Sequence, residues 1–530
     1  MAMNSLSLTA TATSVLQGRA MCFRNPILPG FYPDPSVCRV GADFYLVNSS
    51  FEYFPGVPIF HSRDLVNWRQ LGHVLDRPSQ LEIPGVAPSD GIYAPTIRYH
   101  AGRFYLATTV NVTGRGFRNF FVTAENPAGP WSDPIWVNQG GIDPSLFFDD
   151  DGRVYWTGNG TGWAAVRGLY QSEIDPASGA LLSEPRLIWT GSGGSYPEGP
   201  HLFKRAGFYY LIAAEGGTAE CHMVTCARSR QPFGPFEPCS FNPVLTQRSR
   251  MNVITSTGHA DFFPDAAGNW WAVFLAIRYA EHGFHPLGRE TCLAPIEWTA
   301  DGWPVVYGGA PVSEHMELAR DLPAWPLLPA PLRDDFDSFA LGPEWVRLRL
   351  PKFEDYSLTE RPGWLTLRCA ASTLDELASP AAVFRRLRHF EASVCAKLDF
   401  DPISEGEEAG LTVLLDHRHH AELVVARRGV VRVAFVRRRI GSLVGESEPL
   451  ELAPGALEIS VIIDRVLCRF SATAADGMPR EIGRHETRYL ATEVAGGYTG
   501  VMLGLFASGR GADSAVCAAF DWFNYESRNP

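Results

Sequence analysis

The sequence predicts an all-β protein of two domains, a five-bladed β-propeller followed by a β-sandwich. Three observations predict it: a short aromatic-rich strand motif recurs five times in the first part of the chain, a second conserved-register segment precedes each copy, and beyond a proline-rich stretch the strand runs continue without that period.

The repeated strands are Asp43-Phe44-Tyr45-Leu46, Arg103-Phe104-Tyr105-Leu106, Arg153-Val154-Tyr155-Trp156, Phe208-Tyr209-Tyr210-Leu211 and Asn269-Trp270-Trp271-Ala272. Their first residues stand 60, 50, 55 and 61 positions apart, the span of one propeller blade. About ten residues before each lies a partner segment: Asp34-Pro35-Ser36-Val37, Ala94-Pro95-Thr96-Ile97, Asp143-Pro144-Ser145-Leu146, Glu198-Gly199-Pro200-His201-Leu202 and Gly258-His259-Ala260-Asp261. Turn formers (Gly41, Gly102, Asp151-Gly152, Gly207, Gly268) separate the two, as a hairpin requires. Each unit is expected to run on to another strand, for example Ser62 to Trp68, or Ala227-Arg228-Ser229 with Gly234-Pro235-Phe236. With the first segment of each unit innermost, Asp34, Ala94, Asp143, Glu198 and His259 take equivalent places at the mouth of the axis.

Four spans are expected: residues 1–20 as a disordered extension, 21–322 as the propeller, 323–331 (PAWPLLPAP) as a stiff linker, and 332–530 as the sandwich. The last span carries strand runs such as Ala409–Leu415, Glu422–Ala426, Val430–Phe435 and Leu457–Ile463, with little helical periodicity.

Composition narrows the function. A net charge of −12 disfavours nucleic acid, whose phosphates need clustered Lys and Arg, and no apolar run is long enough to span a membrane. A neutral ligand fits better, and an aromatic content of 12% suits the apolar faces of sugars as well as β-rich cores. Ten cysteines without metal-site spacing read as thiols in a reducing compartment, and the first twenty residues lack the basic start and apolar core of a secretory signal, so the expected location is the cytoplasm. Oligomeric state is left open, a homo-oligomer included.

Hydrolysis of a glycosidic bond needs one carboxylic acid to protonate the leaving oxygen and a second carboxylate to activate water or attack the sugar. Taken singly, Asp34 and Asp143 read as starters of Asx-Pro turns and Glu198 as a surface acid. Their shared register brings all three to one pocket, where Asp143 would raise the pKa of Glu198 by like-charge repulsion and keep it protonated.

At this point the motifs Asn25-Pro-Ile-Leu-Pro-Gly-Phe-Tyr-Pro-Asp34-Pro-Ser, Ser50-Phe-Glu-Tyr-Phe-Pro-Gly-Val-Pro58, Ser62-Arg-Asp-Leu-Val-Asn-Trp68, Gly91-Ile-Tyr-Ala-Pro95, Glu198-Gly-Pro-His-Leu202 and Pro286-Leu-Gly-Arg-Glu-Thr291 resemble glycoside hydrolase family 43, close to its β-xylosidases and α-L-arabinofuranosidases. Arg333-Asp-Asp-Phe-Asp337 to Phe520-Asp-Trp-Phe-Asn-Tyr525 resembles the concanavalin/laminin-G-like sandwich of the same subgroup. The resemblance implies Asp34 as general base, Asp143 as the residue that tunes and orients the acid, Glu198 as general acid, and inversion at the anomeric carbon. Carboxylate separation, about 6.5–9.5 Å for inverting against about 5–5.5 Å for retaining enzymes, is the quantity that would distinguish the two outcomes.

It further implies Arg289 as a donor to sugar hydroxyls, Phe51 and Tyr93 as walls of the subsite that holds the terminal sugar, and Tyr498 as an aromatic brought to the pocket by a sandwich loop. Tyr93 departs from the Trp more common in relatives. For Arg289 the bland alternative is a surface pair with Glu290, for Tyr498 a strand-end position, and for His259 a core histidine. His259 otherwise binds substrate or ligates a Ca²⁺ in the channel, structural or activating, no cofactor being required for the chemistry. The expected activity is release of xylose from the non-reducing end of β-1,4-xylo-oligosaccharides, with α-L-arabinofuranosidase activity as a side or main reaction. A non-catalytic carbohydrate-binding propeller is disfavoured by the presence of all three carboxylates, and an endo-acting enzyme by the appended sandwich.

Overall fold

The structure, a computed structural model, describes residues 21–81, 83–318, 323–327 and 332–528. The expected N-terminal extension and residues 328–331 of the expected linker lie outside that set.

Five antiparallel sheets follow one another along the chain, and their innermost strands are Ser36–Val40, Thr96–His100, Ile142–Phe148, Glu198–Arg205 and Ile254–Pro264. Each pairs with the aromatic-rich strand after it, Asp43–Val47, Arg103–Val112, Val154–Asn159, Phe208–Glu215 and Trp270–Arg278. This is a five-bladed propeller. The recurring aromatics have a common task, since an aromatic pair spans every blade interface: Tyr45–Phe104, Tyr105–Phe148, Phe147–Tyr209, Phe203–Trp270 and, at the closure, Phe44–Phe263, with ring centroids 4.8–6.2 Å apart. The closure is reinforced where Met21–Arg24 pairs with His315–Leu318 and where the Asn25 side chain bonds both the carbonyl and the N–H of Leu293.

Two strand expectations fail. Ser62–Trp68 is a turn between Gly56–Ser62 and Arg69–Leu75, because Asp64 accepts the backbone N–H groups of Val66 and Asn67 and so competes with ladder pairing. Ala227–Ser229 does end a strand, but Gly234–Phe236 is a turn with a cis Gly234–Pro235 bond.

The second domain is a β-sandwich. One sheet contains Ala392–Asp399, Leu457–Ile463 and Leu467–Thr473, whose residues alternate buried and less buried, as one packed face demands. The other contains Ala381–Arg386, Met502–Ser508, Glu408–Asp416 and His419–Arg428, and these are buried almost without alternation. Its inner face joins the sandwich core, while Phe384, Leu414, Val424, Phe435, Met502 and Phe506 on the outer face pack with Phe31, Phe51 and Tyr53 of the propeller. A short strand, Arg347–Leu348, pairs directly with Tyr53–Phe54 of the first blade. No helix among the described residues is long and apolar enough to cross a membrane.

Candidate active site

The inner strands bring Asp34, Ala94, Asp143, Glu198 and His259 to one pocket of about 440 Å³, whose walls add Phe51, Tyr93, Phe117, Tyr196, Thr218, Arg289 and Tyr498. A backbone irregularity aims the polar side chains inward. The register slips between Ile142 and Ser145, between Glu198 and His201, and between Gly258 and Asp261, and Asp34, Asp143 and His259 each take positive φ (52°, 55° and 46°). Left-handed backbone at non-glycine residues is costly, and its recurrence at one level of three inner strands marks the level where side chains must leave the sheet and face the axis. At Gly199 (φ 56°) a Cβ would stand 2.7 Å from Nε2 of His259, so only glycine lets that imidazole lie against the strand after Glu198.

Asp34 is buried and heavily partnered. Arg289 donates from Nη1 to Oδ1 at 2.9 Å and from Nη2 to Oδ2 at 3.3 Å, and Ser49 Oγ donates to Oδ2 at 2.6 Å. Burial pushes its carboxyl up, but the Arg289 charge and the Ser49 hydrogen bond outweigh this and hold it below the usual range. His259, whose Nδ1 lies 3.5 Å from Asp34 Oδ1, is itself driven towards the neutral form by burial, so Arg289 is the cation that matters. Glu198 behaves oppositely: burial and the negative charge of Asp34 push it up to about 7 against the pull of Arg289. Asp143 is pushed well up by burial and by repulsion from Glu198 and Asp34, opposed by one hydrogen bond from the N–H of Gly199 at 3.1 Å. Asp143 and Glu198 therefore titrate as a pair that retains a proton near neutrality while Asp34 stays ionised. The charge that chiefly lifts Glu198 is that of Asp34, and Asp143 rises with it.

Arg289 does not pair with Glu290. Neighbouring strand residues point to opposite faces, and Glu290 turns away to bind Arg278 at 2.7 and 2.9 Å. The Arg289 guanidinium lies 5.6 Å from the ring centroids of both Phe51 and Tyr498, which stack 6.2 Å apart. Tyr498 is 46% exposed and sits on a sandwich loop, fixed by its N–H to Ser89 Oγ at 2.8 Å and by its carbonyl, which accepts from Arg289 Nε at 3.4 Å. Tyr93 faces Phe51 at 5.5 Å; its phenolic oxygen accepts from Asn111 at 3.0 Å, which leaves its proton to donate into the pocket, and burial pushes the phenol up to about 12.

Residues 23–304 match the family description "Glycosyl hydrolases family 43", and residues 333–526 match "Beta xylosidase C-terminal Concanavalin A-like domain". The chain belongs to glycosyl hydrolases family 43. Among its family 43 relatives are a protein named non-reducing end alpha-L-arabinofuranosidase from Bacteroides ovatus, 43% identical over 510 residues (95% of this chain and 94% of the relative), and a xylosidase/arabinosidase from Butyrivibrio fibrisolvens, 37% identical over 95% of this chain and 99% of the relative. Similar solved structures include a Bacteroides ovatus protein described as xyloglucan PUL GH43B (TM-score 0.91, 42% identity, 96% of this chain and 100% of that one) and a xylan beta-1,4-xylosidase from Bacillus halodurans (TM-score 0.90, 35% identity, 95% and 100%).

The axis below the pocket of this family 43 chain is lined by polar side chains. Among the described residues no three His, Cys, Asp or Glu side chains group to hold a metal, and the next polar layer down the axis is filled by the guanidinium of Arg98, bonded to Asp261 and His201. Several pocket residues carry no repeat or motif signal: Ser49 on Asp34, Thr218, whose hydroxyl accepts from Arg289 at 3.2 Å, and the exposed Tyr196, at positive φ two residues before Glu198. Ser49 belongs to the polar run Asn48-Ser49-Ser50 that follows an apolar strand; Tyr196 lies on the loop between the third and fourth blades and Thr218 on a hairpin loop within the fourth, where register gives no guidance.

Proposed function

We propose that the chain is an inverting, exo-acting glycosidase that removes xylose from the non-reducing end of β-1,4-xylo-oligosaccharides, with α-L-arabinofuranosidase as a second activity. The observation that carries this reading is a single pocket, of a size for one or two sugar rings, with an ionised Asp34 and a proton-bearing Glu198 at its base and Tyr498 of the sandwich over one side. Glu198 gives its proton to the leaving glycosidic oxygen; Asp34 takes one from the water that attacks the anomeric carbon, and exchange with solvent resets both. Asp143 positions the Glu198 backbone through the Gly199 N–H, while burial and the charge of Asp34 hold the Glu198 proton. Arg289 and the Tyr93 hydroxyl donate to sugar hydroxyls, and Phe51 offers its ring to an apolar sugar face. Buried thiols at Cys38, Cys226, Cys239, Cys292, Cys369 and Cys468 support a reducing, cytoplasmic setting.

A second reading, in which arabinofuranose is the main substrate, is favoured by the name of the 43% identical relative and by Tyr93, smaller than Trp. The test is kcat/KM on p-nitrophenyl β-D-xylopyranoside and p-nitrophenyl α-L-arabinofuranoside, with NMR of the first-formed anomer and product analysis on xylohexaose. Dominant arabinoside turnover selects the second reading; retention of configuration, early release of intermediate lengths, or no turnover of either glycoside defeats the first.

A further inference from the structure

We propose that Arg98 is a built-in axial cation: its guanidinium ties the five inner strands together directly beneath the active site, so that fold and activity need no metal in the channel. Every carboxylate or imidazole of the upper layer has a polar residue two or three positions further down its strand: Ser36 below Asp34, Ser145 below Asp143, His201 below Glu198 and Asp261 below His259. Arg98 comes from the remaining strand and touches nearly all of them. Nη1 donates to Asp261 Oδ2 (2.7 Å), Ser36 Oγ (3.2 Å) and the Ile97 carbonyl (2.8 Å); Nη2 donates to Asp261 Oδ1 (3.2 Å) and bonds His201 Nδ1 (3.0 Å). Ser145 Oγ reaches the same His201 nitrogen at 3.1 Å, and Ser36 Oγ also donates to Asp261 at 2.7 Å and accepts the Ile97 N–H at 3.1 Å. All five blades are thereby joined at one height.

The chemistry of this layer suits a guanidinium and not a hard dication. Calcium asks for six to eight oxygens, whereas one carboxylate is present here and Arg98 already neutralises it in a forked pair. His201 is buried and neutral, pushed down to about 3 by desolvation, so its ring nitrogen accepts from the cation without adding charge. The layer sums to zero charge, and an incoming dication would face the guanidinium. Arg98 touches no reacting atom and is a positioning residue: by fixing Ser36, Ser145, His201 and Asp261 it sets the heights of the residues above them.

This pin acts on the fold whichever glycoside is cleaved, so its test reads melting temperature as well as turnover. The full-length protein, stripped with EDTA and dialysed, is melted with and without millimolar Ca²⁺ or Mg²⁺. The wild type is expected to show the same Tm and the same kcat in all conditions; a fall on stripping or a rise on adding either ion overturns the proposal. Arg98→Ala is expected to melt lower and to lose about 100-fold in kcat/KM through displaced strands, and not to regain Tm with Ca²⁺, for which Asp261 alone is too few ligands. Arg98→Lys should lie between the two and ignore Ca²⁺. If Arg98→Ala does not fold, Asp261→Asn decides: it strands the guanidinium, so Tm should drop and stay flat with Ca²⁺. An Arg98→Ala protein with wild-type Tm, or an Asp261→Asn protein stabilised by Ca²⁺, refutes the assignment.

Discussion

Replacing Arg289 by Met keeps most of the aliphatic stem between Phe51 and Tyr498 and removes the positive charge beside Asp34. With Nη1 2.9 Å from Oδ1, the charge centres are roughly 4 Å apart, which at an effective dielectric constant of about 20 corresponds to about 4 kcal/mol favouring the ionised carboxylate. Pocket water reduces this, and the Asp34 carboxyl is expected to rise back towards and above the ordinary carboxylate range, as its burial dictates once the cation is gone. The base works only when ionised, so activity is lost as pH falls through its pKa. The acid limb of kcat/KM, held low in the wild type by the depressed pKa of Asp34, should therefore move to higher pH. Arg289 also pulls Glu198 down, so the alkaline limb, near 7 in the wild type as Glu198 loses its proton, should shift upward too. The assay is the pH dependence of kcat/KM on a p-nitrophenyl glycoside, with Tm followed at each pH to separate titration from unfolding. An acid limb that stays in place, whatever the loss in KM, would show that Asp34 is not the base that Arg289 holds ionised.

The other expected outcomes follow the same geometry. Glu198→Ala should lower kcat by about 10²–10⁴ on xylobiose, whose leaving group needs a proton, and far less on a dinitrophenyl glycoside; equal losses on both would remove Glu198 from the acid role. Asp34→Ala should lose at least about 10²-fold on both substrates with Tm little changed, and leaving-group-dependent loss there would reverse the two assignments. Tyr498→Ala, which deletes a ring stacked on Phe51 and half open to solvent, should raise KM about 2- to 10-fold and leave kcat nearly intact. In the sandwich, Arg437→Met removes the main cation from two buried carboxylates, Glu408 (2.7 Å from both Nη atoms, with Arg510 left at 3.3 Å) and Glu422 (3.0 Å), for a loss of about 3–5 kcal/mol and a fall in Tm on the order of 10 °C by calorimetry.

The propeller was legible in the sequence because its construction is repetitive. Phe44, Phe104, Tyr105, Tyr209 and Trp270 recur since each blade must meet its neighbour through the same aromatic contact. Register alone then put Asp34, Asp143, Glu198 and His259 at one mouth. What stayed hidden was contact between residues without a repeat. Arg98, in the run Thr96-Ile-Arg-Tyr-His100, reads as an outward residue of an ordinary strand, and only the closed ring shows that it points at Asp261, 163 positions away. Arg289 beside Glu290 looks like a local ion pair, but strand alternation sends the first to Asp34 and the second to Arg278. Tyr196 sits on an inter-blade loop and Thr218 on a hairpin loop within the fourth blade, where neither period nor hydropathy constrains the chain. The turn at Asp64 was missed because Leu65, Val66 and Trp68 carry the apolar character of a strand, and the deciding interaction is a carboxylate taking two backbone N–H groups.

The sandwich belongs to the site as well as to the fold. Its second sheet is buried on both faces, which a free-standing antiparallel sandwich would not need, since one face of each sheet normally meets water. The extra burial is spent on the propeller: Arg386 donates to the Phe31 carbonyl at 2.7 Å, Arg349 to the Val86 carbonyl at 2.8 Å, and Phe384, Met502 and Phe506 join the cluster that contains Phe31 and Phe51. Phe51 is thus packed from behind by a cluster shared between the domains while it lines the pocket in front, and Tyr498 reaches the same pocket from a sandwich loop. A propeller without this partner would keep Asp34, Asp143 and Glu198 on their strands but would expose the apolar patch around Phe31 and Tyr53 and lose the backing of its aromatic wall. The acids are set by the repeat, and the shape of the pocket that presents a sugar to them is set by the contact between two domains.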